Sequence, residues 1–133
     1  MKVTLDQSAI QCISLFQKLT GCTVVDSIAN DELYFVVAEG QYGMAIGKNG
    51  SKIKNAENVF KKQIKIFEYA QSVEQFIKNI VPDVQDIKRT DDGIVIRVKP
   101  SDRSKVIGKD GKNIKMINRF LERLYNVKEM KVK

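Results

Sequence analysis

The chain has 133 residues, 43% hydrophobic and 29% charged, with a net charge of +7, enough for one ordinary domain or two small ones. It has no histidine, and its two cysteines, Cys12 and Cys22, form no CxxC pair. This argues against a zinc site, a cofactor, or catalysis through the usual neutral-pH base, and leaves the cysteines as reduced core thiols. No apolar run approaches the ~20 residues that span a bilayer, and Met1–Asp6 lacks a secretory h-region. A cytoplasmic protein without a membrane partner is expected.

Thr4-Leu5-Asp6-Gln7 fits a capping box, and Ala9, Ile13, Phe16 and Leu19 follow at helical spacing, with Gly21 placed to stop the helix. Cys22–Ile28 is β-rich, Asn30-Asp31 reads as a turn, and Leu33–Val37 as a second strand. A short apolar piece, Tyr42–Ile46, leads into Gly47-Lys48-Asn49-Gly50. A helix with a buried stripe of Ile53, Ala56, Val59 and Phe60 comes next, and Ile64, Ile66 and Tyr69 alternate as a closing strand.

The second half repeats the order. Ser72-Val73-Glu74-Gln75 is again a capping box, and Val73, Phe76, Ile77 and Ile80 form a helical stripe ending at Pro82. Val84–Arg89 and Ile94–Val98 read as strands around an Asp91-Asp92-Gly93 turn. Pro100-Ser101-Asp102 opens a short helix, with an N-cap candidate after the proline. Gly108-Lys109-Asp110-Gly111 follows. A helix striped by Ile114, Ile117, Phe120, Leu121 and Leu124 comes next, about three residues longer than its counterpart, and Met130 and Val132 close with a strand. Each half reads α-β-β-α-loop-α-β, dividing the chain into 1–70 and 71–133. Glu68-Tyr69-Ala70-Gln71 contains no spacer, which predicts a stiff tandem.

One phrase occurs twice. Ile46-Gly47-Lys48-Asn49-Gly50-Ser51-Lys52-Ile53 recurs without a gap as Ile107-Gly108-Lys109-Asp110-Gly111-Lys112-Asn113-Ile114, 61 residues on. Charge is placed around it. Residues 1–47 are net acidic, whereas Lys48–Lys65 holds six lysines against Glu57 alone, and Arg97–Lys133 holds twelve basic residues against four acids. A single basic run is often a solvated face; two in register beside two glycine loops point to a phosphate partner.

The loop has the physics for one. Glycine permits positive φ and close approach, and the helix that follows presents unpaired N–H groups with a favourable dipole. Lys48 and Lys109 add charge at the tip, and Lys52 and Lys112 just after it. A lone GxxG is usually a helix linker. The duplication, the isoleucine before and after each loop and the basic helix behind it set these two apart. Neither a Walker loop nor a GxGxxG fingerprint is present, so nucleotide hydrolysis is not expected. Phe16, Phe60, Phe76 and Phe120 fall on apolar stripes. They are assigned to the core, which argues against base stacking on a sheet of exposed aromatics.

Ile-Gly-x-x-Gly-x-x-Ile between two helices, met twice, resembles the KH (K-homology) domain family, and the preceding elements resemble its type II arrangement. The likeness covers essentially the whole chain. It implies an α+β fold of two tandem type II KH domains, each α-β-β-α-α-β with helices on one face of a three-stranded sheet. A closely linked, free-standing pair of this length resembles the KH region of a transcription elongation and termination factor in its archaeal form. The family implies single-stranded RNA as partner, with RNA polymerase a further candidate, a monomeric chain, and no enzymatic activity. It also implies loops that clamp about four nucleotides each by the backbone. Gly47, Lys48, Asn49 and Gly50 match that clamp, as do Gly108, Lys109, Asp110 and Gly111. Ile46, Ile53, Ile107 and Ile114 match the aliphatic groove, Ile53 and Ile114 doubling as core candidates. Asp110, at the tip where Asn49 stands in the first loop, departs from a phosphate-binding pattern. A ribosomal or ribosome-assembly protein is the alternative reading.

Overall fold

The computed structural model describes residues 7–133; Thr4–Asp6, and with them the first capping box, lie outside the described residues. The chain divides between Ala70 and Gln71 into two compact units.

The first unit contains α1 (Gln7–Thr20), β1 (Val24–Ala29), β2 (Leu33–Val37), α2 (Tyr42–Ile46), α3 (Ser51–Phe60) and β3 (Ile64–Glu68). Gly21, at φ 78°, ends α1 by donating to the Gln17 carbonyl at 2.8 Å, the left-handed stop that glycine adopts without a Cβ penalty. β1 starts at Val24 rather than Cys22. The Cys22 and Thr23 N–H groups go instead to Thr20 Oγ1 and Gln41 Oε1, at 3.2 and 2.6 Å. β2 is central, antiparallel to β1 and parallel to β3. Both its faces are buried, as its unbroken run of Leu, Tyr, Phe, Val and Val suggests. On the helix side, Phe16 stacks on Phe35 with centroids 4.0 Å apart, and Phe60 tilts against Phe35 at 6.2 Å. Cys22, Ala45, Ala56, Ile64 and Ile66 complete this core. Burying a side chain the size of Phe16 contributes roughly 1.5–3 kcal/mol. Burial, with the Glu32 carboxylate adding to it, pushes the Tyr34 hydroxyl up to about 12.

The second unit contains α4 (Val73–Ile80), β4 (Asp86–Thr90), β5 (Gly93–Arg97), α5 (Pro100–Ile107), α6 (Lys112–Tyr125) and β6 (Met130–Val132). Its sheet runs β4-β5-β6 with the same antiparallel and parallel pairings. Ser72 caps α4, its Oγ accepting from the Gln75 N–H at 3.2 Å. Val84 donates to the Val81 carbonyl in a turn, which delays β4 to Asp86. Asp91 and Asp92 alone turn the hairpin, since Thr90 and Gly93 already pair. Lys99, not a residue after the proline, occupies the N-cap of α5: Pro100 takes the first helical position, where its missing N–H is no loss. α6 has 14 residues against 10 in α3. Ile77, Ile94, Ile96, Ile117, Phe120, Leu121 and Met130 are buried, and Phe76 tilts against Tyr125 at 5.1 Å. Among the described residues no helix is long and apolar enough to cross a membrane.

Candidate nucleic-acid interface

Each repeated phrase forms the bend between two helices, and the two bends share one backbone geometry. Gly47 has φ 77° and ψ 171°, and Gly108 has 80° and 169°. Asn49 has φ 56° and ψ 28°, and Asp110 has 57° and 25°. Gly50 and Gly111 stand at φ 75° and 74°, both with ψ 17°. The same hydrogen bonds close them. Gly47 donates to Gly43 O at 2.9 Å and Gly50 to Gly47 O at 3.1 Å; Gly108 donates to Ser104 O at 2.8 Å and Gly111 to Gly108 O at 3.1 Å.

This geometry accounts for the residue types. At the first glycine a Cβ would stand 2.9 Å from the Lys52 backbone nitrogen in one loop and 2.8 Å from that of Asn113 in the other. The combination of positive φ with ψ near 170° is also open essentially to glycine alone. The second glycine is required by its φ, because nothing lies within 3.6 Å of an added Cβ (the nearest atom is at 3.7 Å in both loops). At the third position the backbone is left-handed with a side chain present. Asn and Asp are the residues that accept this most readily. Asp110 therefore preserves the loop conformation that Asn49 sets, while bringing a negative charge to the tip.

The loops are held from both sides. In the first, Tyr42 N–H at the start of α2 donates to Glu68 Oε1 at 2.9 Å, and Gln41 bridges to Thr23 N–H and accepts from Cys22 Sγ through its carbonyl at 3.7 Å. Lys52 Nζ donates to the Thr20 carbonyl at 3.0 Å, tying α3 to the end of α1. In the second, Asn113 Nδ2 donates to the Lys105 carbonyl at 3.0 Å, tying α6 to α5. The residues at equivalent positions thus both serve as braces, one through an ammonium and one through an amide.

What faces solvent agrees between the copies at the loop tips and differs beside them. Lys48, Asn49, Lys109 and Asp110 are exposed at the tips, and Ser51 and Lys52 are exposed beside the first. Lys112 and Asn113 are half-buried, as are Ile46, Ile53, Ile107 and Ile114; Ile46 and Ile53 pack against the core of the first unit. Gly50 and Gly111, the N-caps of α3 and α6, have no side chain with which to cap, and the first N–H of each helix is already taken inside the loop, Ser51 N–H by the Lys48 carbonyl and Lys112 N–H by the Lys109 carbonyl. Each loop therefore presents an exposed lysine at the head of a helix, with the loop's own carbonyls closing the first turn. Two exposed residues of α2 escaped the sequence reading: Tyr42 and Met44, 46% and 45% exposed beside the first loop. Their counterparts at the 61-residue offset are Arg103 and Lys105, also exposed. Setting the flanks of the two loops in register exposes this difference.

The KH domain family matches the chain twice, over residues 13–85 and 68–133. A protein of Methanococcus vannielii named probable transcription termination protein NusA is 44% identical over 99% of this chain and 80% of its own length. Proteins of the same name from Methanocaldococcus jannaschii and Thermoplasma acidophilum are 36% and 31% identical, covering 98% and 99% of this chain and 75% and 96% of their own lengths. The crystal structure of APE1850 superposes with a TM-score of 0.78 at 30% identity, covering 97% of this chain and all of that one. Two matching sheets, two loops of one geometry and relatives aligned over nearly the whole of this chain carry the same conclusion: the chain belongs to the KH domain family, as a tandem pair of its domains.

Proposed function

We propose that this protein binds single-stranded RNA and acts as a non-enzymatic factor in transcription termination or elongation. Each glycine loop clamps about four nucleotides by their backbone. The observation that carries the reading is the coincidence, in both units, of an exposed lysine (Lys48, Lys109) with one and the same glycine-loop backbone at the head of a helix. Phosphate oxygens accept from the backbone N–H groups at the loop tips, Lys48 and Asn49 in one and Lys109 and Asp110 in the other, while the lysines supply charge. Ile46 and Ile53, and Ile107 and Ile114, give the bases an aliphatic wall. The names of the relatives support the setting in transcription, with RNA polymerase as the protein partner of a monomeric, cytoplasmic chain. The units 1–70 and 71–133 each carry one weak clamp, and the two engaged on one strand gain about 10²–10⁴ in avidity.

The test is a set of charge reversals that keep the loop backbone. Lys48→Asp with Asn49→Asp, and separately Lys109→Asp, each weaken RNA binding in fluorescence anisotropy. Combined, they abolish it at physiological salt while circular dichroism remains that of the parent. A folded combined variant that binds RNA with parental affinity overturns the clamp.

A further inference from the structure

The sheet of the second unit has a face that the clamps do not use. Alternation along β4, β5 and β6 sends Ile87, Ile94, Ile96 and Met130 to the helix side. The other face carries Asp86, Lys88, Val95, Arg97, Lys131 and Lys133. Register puts Lys88, Val95 and Lys131 in one row across the three strands, and Asp86 opposite Arg97 in the next. Arg97 and Lys133 stand one step past the paired Ile96 and Val132, with Lys133 N–H donating to the Ile96 carbonyl at 2.8 Å. All four cations are exposed; Asp86 and Val95 are half-buried. Asp86, Lys88, Val95, Arg97 and Lys133 border a depression.

The first unit gives the comparison. By the same register its corresponding residues are Asp26, Ile28, Tyr34, Val36, Lys65 and Phe67. Ile28, Tyr34 and Val36 are at most 2% exposed. Between the copies, Ile28 corresponds to Lys88, Val36 to Arg97 and Phe67 to Lys133. A position that is apolar in one copy is cationic in the other three times on one face. Lysines on edge strands discourage edge-to-edge pairing, which accounts for Lys88 and Lys131, but Arg97 lies on the central strand, where no edge needs guarding. Arg97 and Lys133 stand on neighbouring strands, which lie roughly 4.8 Å apart, and Lys88 and Lys131 on the two edge strands beyond Val95. Asp86 opposite Arg97 offsets one of the four charges; the net positive face favours a polyanion over bare solvent.

We propose that this open face is a second RNA-binding surface, taking the sugar–phosphate backbone of a single strand independently of the glycine loops. It rests on the reading of the protein as an RNA binder. A protein partner fits the face poorly. Interface cores are rich in aromatic and apolar anchors and depleted in lysine, and here the sole apolar member is half-buried Val95.

The experiment compares two exposed-face variants, Lys88→Gln/Arg97→Gln/Lys131→Gln and the corresponding triple Glu reversal, with the combined loop variant Lys48→Asp/Asn49→Asp/Lys109→Asp. Binding is read by anisotropy across a potassium chloride series. One labelled RNA has about eight nucleotides, the length two loops clamp at about four each, and the other is roughly four times longer. The Gln variant is expected to bind the long RNA about tenfold more weakly. Its salt slope is shallower by about 2, from three lost cations at roughly 0.7 each, and its binding to the short RNA stays within about twofold of the parent. The reversal enlarges the loss. Parental affinity and slope on the long RNA in both folded face variants overturn the proposal, and this is also the outcome if the face serves an acidic protein. The loop variant separates the two ideas. If it loses the short RNA while the face variants bind normally, the clamp stands and the face falls. If it binds both RNAs normally while the face variants lose the long one, the clamp falls and the face stands.

Discussion

The two glycines of each loop should differ in how much they matter, because the structure demands them for different reasons. At Gly47 an alanine Cβ would meet the Lys52 nitrogen at 2.9 Å and the Lys52 Cγ at 2.7 Å. The side-chain atom can swing aside, but the nitrogen belongs to the first turn of α3. The backbone there, at φ 77° and ψ 171°, also costs a non-glycine residue about 1–3 kcal/mol. Strain and steric conflict add, so Gly47→Ala should destabilise the first unit by about 3 kcal/mol, the upper end of that range. At Gly50 the added Cβ meets nothing closer than 3.7 Å, and the left-handed φ of 75° costs about 1–2 kcal/mol. For a unit of this size each kcal/mol lowers the melting temperature by roughly 4–8 °C. Thermal and urea melts of Gly47→Ala and Gly50→Ala, with Gly108→Ala and Gly111→Ala as the second pair, give the ordering. RNA anisotropy on the folded fraction should rank the variants the same way. If Gly47→Ala is as stable as Gly50→Ala, and Gly108→Ala as stable as Gly111→Ala, the close-approach argument is wrong.

Asp110→Asn keeps a residue suited to the left-handed position and removes a charge. One unit charge about 6 Å from a phosphate in water is worth about 0.7 kcal/mol, so RNA affinity should rise roughly threefold at low salt, the gain shrinking as salt screens it. Lys52→Met removes the bond to the Thr20 carbonyl and should lower stability by about 0.5–1.5 kcal/mol in a urea melt, whatever it does to RNA. Glu74 accepts two bonds from Arg89, at 2.6 and 3.1 Å, and this Arg89 partnership holds its carboxyl below the usual 4.5. The resulting stability is present above pH 4.5 and is lost as pH falls through the lower folded value. Glu74→Gln should therefore melt below the parent at pH 7, with the gap closing in acid. A gap independent of pH would contradict the assignment.

Much of this was legible in the sequence because local chemistry and global fold agree. Leu33–Val37 was read with the boundaries it has, since a short β-branched and aromatic run leaves little choice. The loops were legible because glycine spacing, flanking isoleucines and charge all repeat. Strand starts were less so. β1 loses two residues because Thr20 and Gln41 take the Cys22 and Thr23 N–H groups, and Gln41 is remote from β1 in sequence; at β4 the Val84 N–H turns back to the Val81 carbonyl. Tyr42–Ile46 reads as the short helix before the loop only through the repeated order of the two halves; five residues are too few for a helical period to show on their own. The bracing role of Lys52 spans 32 residues to Thr20, and no local pattern announces it: a lysine after a glycine loop looks the same whether it holds a phosphate or a carbonyl. The αL backbone at Asn49 and Asp110 explains the acid at the second tip, which by charge alone seemed misplaced.

The central claim is that RNA phosphates sit on the backbone N–H groups of the two loops. An amide-resolved NMR titration of the whole chain with a short single-stranded RNA tests it directly. The account predicts the largest shifts at Gly47–Ile53 and Gly108–Ile114, weakening together as salt rises. Saturable RNA binding that leaves the amides of both loops unmoved would contradict it.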